Sequence, residues 1–431
     1  MFRGGIKLID FKSLSKNEEI EEFKYPERVI IPLSQHTGSP AKPVVKKGDY
    51  VLEGQIIGEI TGFISSYIHS SISGKVVDIL PWDLPTNRKS LSIVIESDGE
   101  RKSIERQVRD WLKLESNEII NIVREAGIVG LGGAAFPTHV KLTIPEGKKA
   151  DYILINGCEC EPFLTCDYRV LKEYTEEVVE GIQIISKVTN VKKVFIGIER
   201  NKIDLLPVLN DAIKKLKIYI EIEIKILPEK YPQGSEKHLI KSILNKEVPS
   251  GGLPIDVGCI VFNVQTTLAI KRAVCDGIPL TERVLTCTGL VDNPKNLKVK
   301  IGTPISEIID YCKGDIKNGS KIVVGGPMMG IQIPNPDVPV IKGTTGILLL
   351  PEEKLPEDIQ PCIRCGKCIE VCPMFLMPSE IGRYMEFEKV EKCENLNVFD
   401  CIECGCCAYI CPAKRPLVDF IKCAKFKLRK K

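Results

Sequence analysis

The sequence predicts a multidomain α/β and α+β protein: a β-rich domain over residues 1–105, an α/β domain over 106–280, a small mixed domain over 281–345 and a helical module over 346–431. Three observations predict it. At 431 residues the chain exceeds one ordinary core, and a soft prior of about 150 residues per domain suggests roughly three. Apolar strand-like runs alternate with helical periodicity between about 150 and 280, the pattern of an α/β layer with a largely parallel sheet. Near the end, Cys362-x2-Cys365-x2-Cys368-x3-Cys372-Pro373 recurs as Cys401-x2-Cys404-x2-Cys407-x3-Cys411-Pro412.

Composition narrows the class. Hydrophobic residues make up 43% and charged residues 27%, as in soluble globular proteins. A formal net charge of +3 gives no support for nucleic-acid binding. The basic end (Lys422, Lys425, Lys427, Arg429, Lys430, Lys431) reads first as a solvated terminus and, more sharply, as a contact for anionic lipid or an acidic partner. Eighteen cysteines could suggest a disulfide scaffold, but those are short, and Met1-Phe2-Arg3-Gly4-Gly5 begins no apolar leader. A reducing, cytoplasmic setting is expected. No apolar run reaches the roughly 18 residues of a membrane span, so a peripheral protein is expected, with any membrane role supplied by partners.

In residues 1–105, Val29-Ile30-Ile31-Pro32, Gly48–Leu52, Gln55–Gly58 and Gly74–Leu80 are short apolar runs cut by glycine and proline. Val45-Lys46-Lys47-Gly48-Asp49 and Ile72-Ser73-Gly74-Lys75-Val76 resemble barrel-sandwich or hammerhead domains related to biotinyl and lipoyl carriers. Carriers present a lysine on the intervening hairpin. Here Thr61–His69 contains none, so a scaffold is expected. His36 and His69 read as surface or satisfied core histidines before ligands.

A helix is predicted from about Ser116 to Ala126, with Ile119, Ile122, Val123 and Ala126 on one face and Gly127 as its stop. It leads into Gly130-Leu131-Gly132-Gly133-Ala134-Ala135-Phe136-Pro137-Thr138. Gly130-x-Gly132-x-x-Ala135 matches a dinucleotide fingerprint, yet that fingerprint follows a strand and here a helix precedes it. The glycines still allow backbone N–H groups close to a phosphate, with a plain turn as the alternative. Buried strands are predicted at 152–155 and 194–198, and an alternating strand at 218–226. Helices are predicted near 168–188, 204–216 and 235–246.

From about 281, Val284–Val291, Leu297–Gly302, a helix near 305–312 and Lys321–Gly330 suggest a β-grasp-like unit. Leu348-Leu349-Leu350-Pro351 is expected to lead into the cysteine module. There, each run supplies three ligands to one 4Fe-4S cluster and its fourth cysteine to the other. The rule assigns Cys362, Cys365, Cys368 and Cys411 to one cluster, and Cys401, Cys404, Cys407 and Cys372 to the second. Structural zinc is the alternative, but zinc sites pair two C-x2-C knuckles across a longer spacer. Cys393 and Cys406 fall outside the rule. Cys158, Cys160, Cys166, Cys259, Cys275, Cys287, Cys312 and Cys423 read as small apolar residues, with Cys158 and Cys160 the candidates for exceptions.

The glycine loop, Lys141 and Asn156-Gly157-Cys158-Glu159-Cys160-Glu161-Pro162 together resemble the FMN- and NADH-binding core of the flavoprotein subunit of respiratory complex I. With the cysteine module, the N-terminal domain, Pro32-Leu33-Ser34-Gln35-His36 and Gly325–Gly330, the full chain resembles the C-subunit family of Rnf electron-transport complexes. The resemblance implies a barrel-sandwich domain, a Rossmann-like FMN domain, a soluble-ligand-binding β-grasp domain and a two-cluster ferredoxin-like domain. It places Gly130, Gly132 and Gly133 at the FMN phosphate and Lys141 at the flavin. Asn156 and the catalytic candidates Glu159 and Glu161 fall at the flavin ring and nicotinamide. Tyr231, Gly234 and Glu236 line the nucleotide site, and Asn263 and Thr266 lie on the FMN side. Ser235-Glu236 and Phe262-Asn263 depart from complex I, where an acidic pair and two asparagines stand. The implied activity is hydride transfer from NADH to FMN, then single electrons through two 4Fe-4S clusters to partners: the other Rnf subunits, membrane and ferredoxin-like, and ferredoxin indirectly. The implied location is the cytoplasmic face of the cell membrane. A soluble cobalamin-reductase-type flavoprotein is the alternative enzyme, and a non-catalytic electron wire or scaffold the alternative of another class. No ligand of the β-grasp unit is legible.

Overall fold

The computed structural model describes residues 2–316, 320–352 and 358–430; Lys431 of the basic end lies outside them. No helix among the described residues is long and apolar enough to cross a membrane.

The N-terminal domain packs two small sheets face to face. Arg28–Pro32, Lys89–Ser97, Gly74–Asp83 and Tyr50–Val51 form one antiparallel sheet, and Lys42–Pro43, Ile56–Glu59 and Ile68–His69 the other. Alternate residues of these strands (Val29, Ile31, Ile57, Ile68, Val76, Ile93 and Ile95) meet in the core, as the period of two along a strand requires.

The central domain is a four-stranded parallel sheet in the order Glu221–Leu227, Lys193–Glu199, Tyr152–Gly157, Cys259–Asn263. The two inner strands are almost continuously buried. Glu221–Leu227 is an edge strand, half exposed, which explains its alternating isoleucines. Helix Ser116–Glu125 forms as predicted: Glu115 and Glu118 make a reciprocal cap, Ile119 and Val123 are buried, and Gly127 turns the chain at φ +65°. The single helix expected over 168–188 is instead two, Cys166–Glu173 and Thr175–Thr189. Tyr174 leaves helical geometry at φ −118°, ψ 32°, and the Thr175 hydroxyl bonds back to the Leu171 carbonyl, a local bond that competes with regular helix pairing.

A six-stranded mixed sheet follows, in the order Ile20–Glu22, Lys295–Lys300, Glu282–Gly289, Gly346–Pro351, Ser320–Val324, Ile331–Ile333, with helix Ile305–Tyr311 against its core. Two of its strands depart from the sequence-level boundaries. Gly346–Pro351, expected to lead into the cysteine module, is a central strand, parallel to Glu282–Gly289 and antiparallel to Ser320–Val324. Ile20–Glu22, expected in the first domain, pairs parallel with Lys295–Lys300. A fully apolar run such as Ile347–Leu350 suits a strand covered on both faces, but its neighbours lie far away in sequence.

The last module packs short helices around Ile381, Met385, Val390, Cys393, Val398, Ile421 and Ala424. Cys393 is therefore a core residue, as its position outside the ligand rule suggested. Residues 2–16 stitch the modules together. Ile6 exchanges backbone hydrogen bonds with Tyr231 (2.9 and 2.8 Å), and the Gly5 amide donates to Val371 beside Cys372 at 2.8 Å.

Candidate functional site

The glycine-rich stretch closes on itself between the end of helix Ser116–Glu125 and helix Thr138–Leu142. The Gly130 amide donates to the Phe136 carbonyl at 2.8 Å, and the Ala135 amide to the Gly130 carbonyl at 3.1 Å. Below the loop, the Thr266 hydroxyl accepts from the Leu131 amide at 2.8 Å. Outside it, Thr37 of the N-terminal domain donates its amide to the Ala135 carbonyl (3.1 Å) and its hydroxyl to the Ala134 carbonyl (2.9 Å). Among the described residues no acceptor takes the amides of Gly132, Gly133 and Ala134. Gly133 sits at φ +108°, and a Cβ there would meet nothing within 4 Å. An exposed loop with three consecutive free amides beside the N-terminus of the 13-residue helix Val264–Asp276 is what an FMN phosphate requires.

Asn263 caps that helix, accepting from the Gln265 amide at 2.8 Å, and donates to the Asp167 carboxylate at 2.6 Å. Gln265 donates to the other Asp167 oxygen at 2.8 Å. Burial, then the neighbouring Glu159, pushes the Asp167 carboxyl up to about 6. Asp167 thus fixes which way the Asn263 amide points beneath Gly132, whose Cβ would lie 3.4 Å from the Asn263 side chain.

Lys141 and Glu236 are brought together, Nζ to carboxylate at 2.5 Å, with a second Lys141 bond to the Val261 carbonyl at 2.9 Å. At the end of the central strand, Asn156 donates to the Gly234 carbonyl (2.7 Å) and accepts from the Cys158 amide (3.1 Å). The Gly234 amide donates to the Cys160 sulfur at 3.2 Å. Asn156, Cys160 and Gly234 therefore form one knot at the strand's carboxyl end, where open α/β sheets bind ligands.

The two acidic candidates hold protein. Glu159, at φ +47°, accepts from the amides of Asp167 (2.7 Å) and Tyr168 (3.3 Å) and caps helix Cys166–Glu173. Glu159, Cys166 and Asp167 place ligand atoms within 4.8 Å of one another, but both carboxylates are committed to N–H donors. Glu161 accepts from the amides of Met328 and Met329 at 3.0 Å each, and the Tyr231 hydroxyl lies 3.3 Å from it; burial raises its carboxyl. Beneath them the buried Lys12 ammonium donates to the carbonyls of Glu161 (2.9 Å) and Leu164 (2.5 Å), and burial, then Lys202, lowers its pKa.

Of the cysteines assigned to the second cluster, Cys372, Cys401, Cys404 and Cys407 line one apolar cavity with Leu376, Val418 and Ile421. Backbone amides of Leu376 and Glu403 point at the sulfurs of Cys372 and Cys401, each at 3.3 Å. Cys406 also lines this cavity; the four thiols of the spacing rule, with N–H donors to sulfur, fit an iron-sulfur cluster. In the other set, Cys368 packs beside Cys411 and Leu417, while Cys362 and Cys365 are exposed. Cys406 is fully buried against Ile6, Tyr231 and Cys404.

Sequence reasoning missed Lys12, Thr37 and Asp167. An acid in the first turn of a helix was a usable signal for Asp167. Lys12 and Thr37 had none, since they act 149 and 97 residues away along the chain.

Four family models match in chain order: the RnfC barrel sandwich hybrid domain (residues 1–100), the Nuo51 FMN-binding domain (123–272), the SLBB domain (284–332) and a 4Fe-4S dicluster domain (354–412). The chain is 47% identical to the C subunit of a proton-translocating ferredoxin:NAD(+) oxidoreductase complex from Clostridium ljungdahlii, covering 98% of this chain and 93% of that protein. It is 46% identical to the C subunit of a Na(+)-translocating counterpart from Acetobacterium woodii, over 98% and 96%. This chain belongs to the RnfC family. A further relative, the C subunit of an ion-translocating oxidoreductase complex from Rhodobacter capsulatus, is 42% identical over 99% of this chain and 83% of its own. Outside the RnfC family, an NAD+-reducing NiFe hydrogenase shares the fold, with a TM-score of 0.54 and 19% identity over 73% of this chain and 62% of that one.

Proposed function

We propose that this chain is the NADH-oxidising electron-input subunit of an Rnf-type complex, held by partner subunits at the cytoplasmic face of the membrane. The observation that carries this is the order of the site: the free-amide loop lies against Asn263, Asn263 bonds Asp167, whose amide bonds Glu159 of the Asn156–Glu161 segment, and Tyr231 lies between Glu161 and Cys404 of the cysteine-lined cavity. FMN, when bound, takes a hydride from NADH and returns electrons singly, and each 4Fe-4S cluster accepts one at a time.

The chain's own residues hold and order these groups. Gly130, Gly132 and Gly133 open the loop to the FMN phosphate, and Asn263 and Thr266 brace it from the helix below. Lys141, paired with Glu236, places a positive charge by the flavin, and Asn156 with Gly234 shapes the wall that faces the ring and the nicotinamide. Glu159 and Glu161 frame the site by fixing helix Cys166–Glu173 and the Met328–Met329 turn. Cys372, Cys401, Cys404 and Cys407 form the inner cluster site. Cys362, Cys365, Cys368 and Cys411 form the outer one, from which electrons leave toward partner subunits.

The test is anaerobic reconstitution with FMN, iron and sulfide, then mixing with NADH. Flavin bleaching followed by cluster signals in electron paramagnetic resonance is expected. Absence of both would overturn the assignment, and intact clusters with no flavin response would favour a non-catalytic wire.

A further inference from the structure

Tyr231 joins the flavin segment to a cluster ligand. Its side chain is buried. Its hydroxyl lies 2.8 Å from the carbonyl oxygen of Cys404 and 3.3 Å from Glu161. A phenol has one proton to donate, so the shorter contact is the hydrogen bond and the Glu161 carboxylate flanks it. The backbone of Tyr231 is fixed independently by its two bonds to Ile6, and the adjoining Gly5 amide bonds to Val371. Gly4 lies so close that a Cβ there would come within 2.6 Å of the Cys372 carbonyl oxygen. Both chain segments that bring ligands to the inner site are therefore tied to the segment carrying Tyr231: the Cys404 loop through the hydroxyl, the Cys372 loop through residues 4–6. The β-grasp turn completes the ring. Met328 and Met329 hold Glu161 through their amides, and the Met328 carbonyl abuts Gly405, where a Cβ would come within 2.9 Å.

We propose that Tyr231 is a positioning residue for electron transfer into the inner cluster: its hydroxyl bond to the Cys404 carbonyl holds that loop, and the Tyr231–Gly234 segment, bonded at Gly234 to Asn156 and Cys160, completes the path to the Asn156–Glu161 segment. This role rests on the function proposed above. The step it serves moves one electron, supplied by NADH through FMN, and reduces the inner cluster by one; no covalent bond forms or breaks, and the phenolic proton stays on oxygen. The β-grasp turn thereby acquires a task that needs no small ligand, which is to lock Glu161 and the Cys404 loop in register.

Tyr231→Phe keeps the ring and removes the bond. In the reconstituted full chain mixed once with NADH, the ratio of the cluster-reduction rate to the flavin-bleaching rate is expected to fall severalfold, because the Cys404 loop loses the bond that holds it. The paramagnetic spectrum of the inner cluster is expected to change, with iron content and melting temperature retained. An unchanged ratio, or an unchanged spectrum, overturns the proposal. So does slowing of flavin bleaching in equal proportion, which would put Tyr231 in the nucleotide site. Should Tyr231→Phe not assemble, Glu161→Gln tests the same junction. It removes the charge beside the hydroxyl, and the same ratio is expected to fall by a smaller factor; no fall overturns the proposal. Failure of the function itself reads differently, as wild-type flavin that NADH does not bleach.

Discussion

The two cysteine quartets share one spacing and differ in everything around them. Cys372, Cys401, Cys404 and Cys407 line a cavity covered by Val418 and Ile421 and are fastened through Cys404 to Tyr231 and through Val371 to the N-terminal segment. The other quartet opens to solvent at Cys362 and Cys365, with Ile359 and Ile363 more than half exposed beside them. Identical cysteine spacing thus meets one enclosed and one open setting. What separates them is which loop the rest of the chain grips.

The sharpest way to break the comparison is to remove one ligand from each side. Cys404→Ser is expected to stop NADH from reducing either cluster, a loss on the order of a hundredfold or more if the inner site is the obligatory entry. Cys365→Ser is expected to leave inner-cluster reduction intact while the outer signal disappears. Freeze-quench paramagnetic resonance with iron counting distinguishes them, and equal loss from both variants would erase the inner and outer distinction.

Upstream, Gly133→Val places a β-branched residue at φ +108°, a strain of about 1–2 kcal/mol, and fills the open face of the loop. FMN affinity is expected to fall at least about tenfold, read by fluorescence titration, with both clusters still formed. Lys12→Met leaves the carbonyls of Glu161 and Leu164 without their donor. It is expected to cost about 1–3 kcal/mol of stability in urea unfolding and to loosen the inner junction, leaving the outer quartet's spectrum as it was. The mildest test is chelation of the intact protein. Iron is expected to leave the outer site ahead of the inner, so that the first half of the loss spares the cluster that FMN reduces. Simultaneous loss would show that burial does not separate the two.

Much of this molecule was legible because the relevant interactions are local. The three-residue steps between cysteines, Gly127 after helix Ser116–Glu125, and the alternating isoleucines of an edge strand are written within a few positions of one another. The glycine loop was legible as a loop; its purpose needed the sight of three amides left without acceptors and of Thr37 holding the far side. The strands Ile20–Glu22 and Gly346–Pro351 were misplaced for the opposite reason. Their apolar or polar character was visible, but pairing with Lys295–Lys300 and Glu282–Gly289 is a long-range choice that hydrophobic pattern does not specify. Glu159 and Glu161 show the same limit within the site. The sequence marked them as acidic groups by the flavin, and their carboxylates turned out to be occupied by the amides of Asp167, Tyr168, Met328 and Met329.

By itself, then, the sequence determined the chemistry on offer: eight thiolates in ligand order and a glycine loop able to approach a phosphate. Both follow from backbone geometry over a dozen residues or fewer. Only the tertiary structure decided the connections, by bringing Tyr231 to Cys404 across 173 positions of chain and Lys12 beneath Glu161. Burial and hydrogen bonding between distant segments are properties of the packed whole, and they enclose one cysteine quartet while leaving Cys362 and Cys365 of the other exposed.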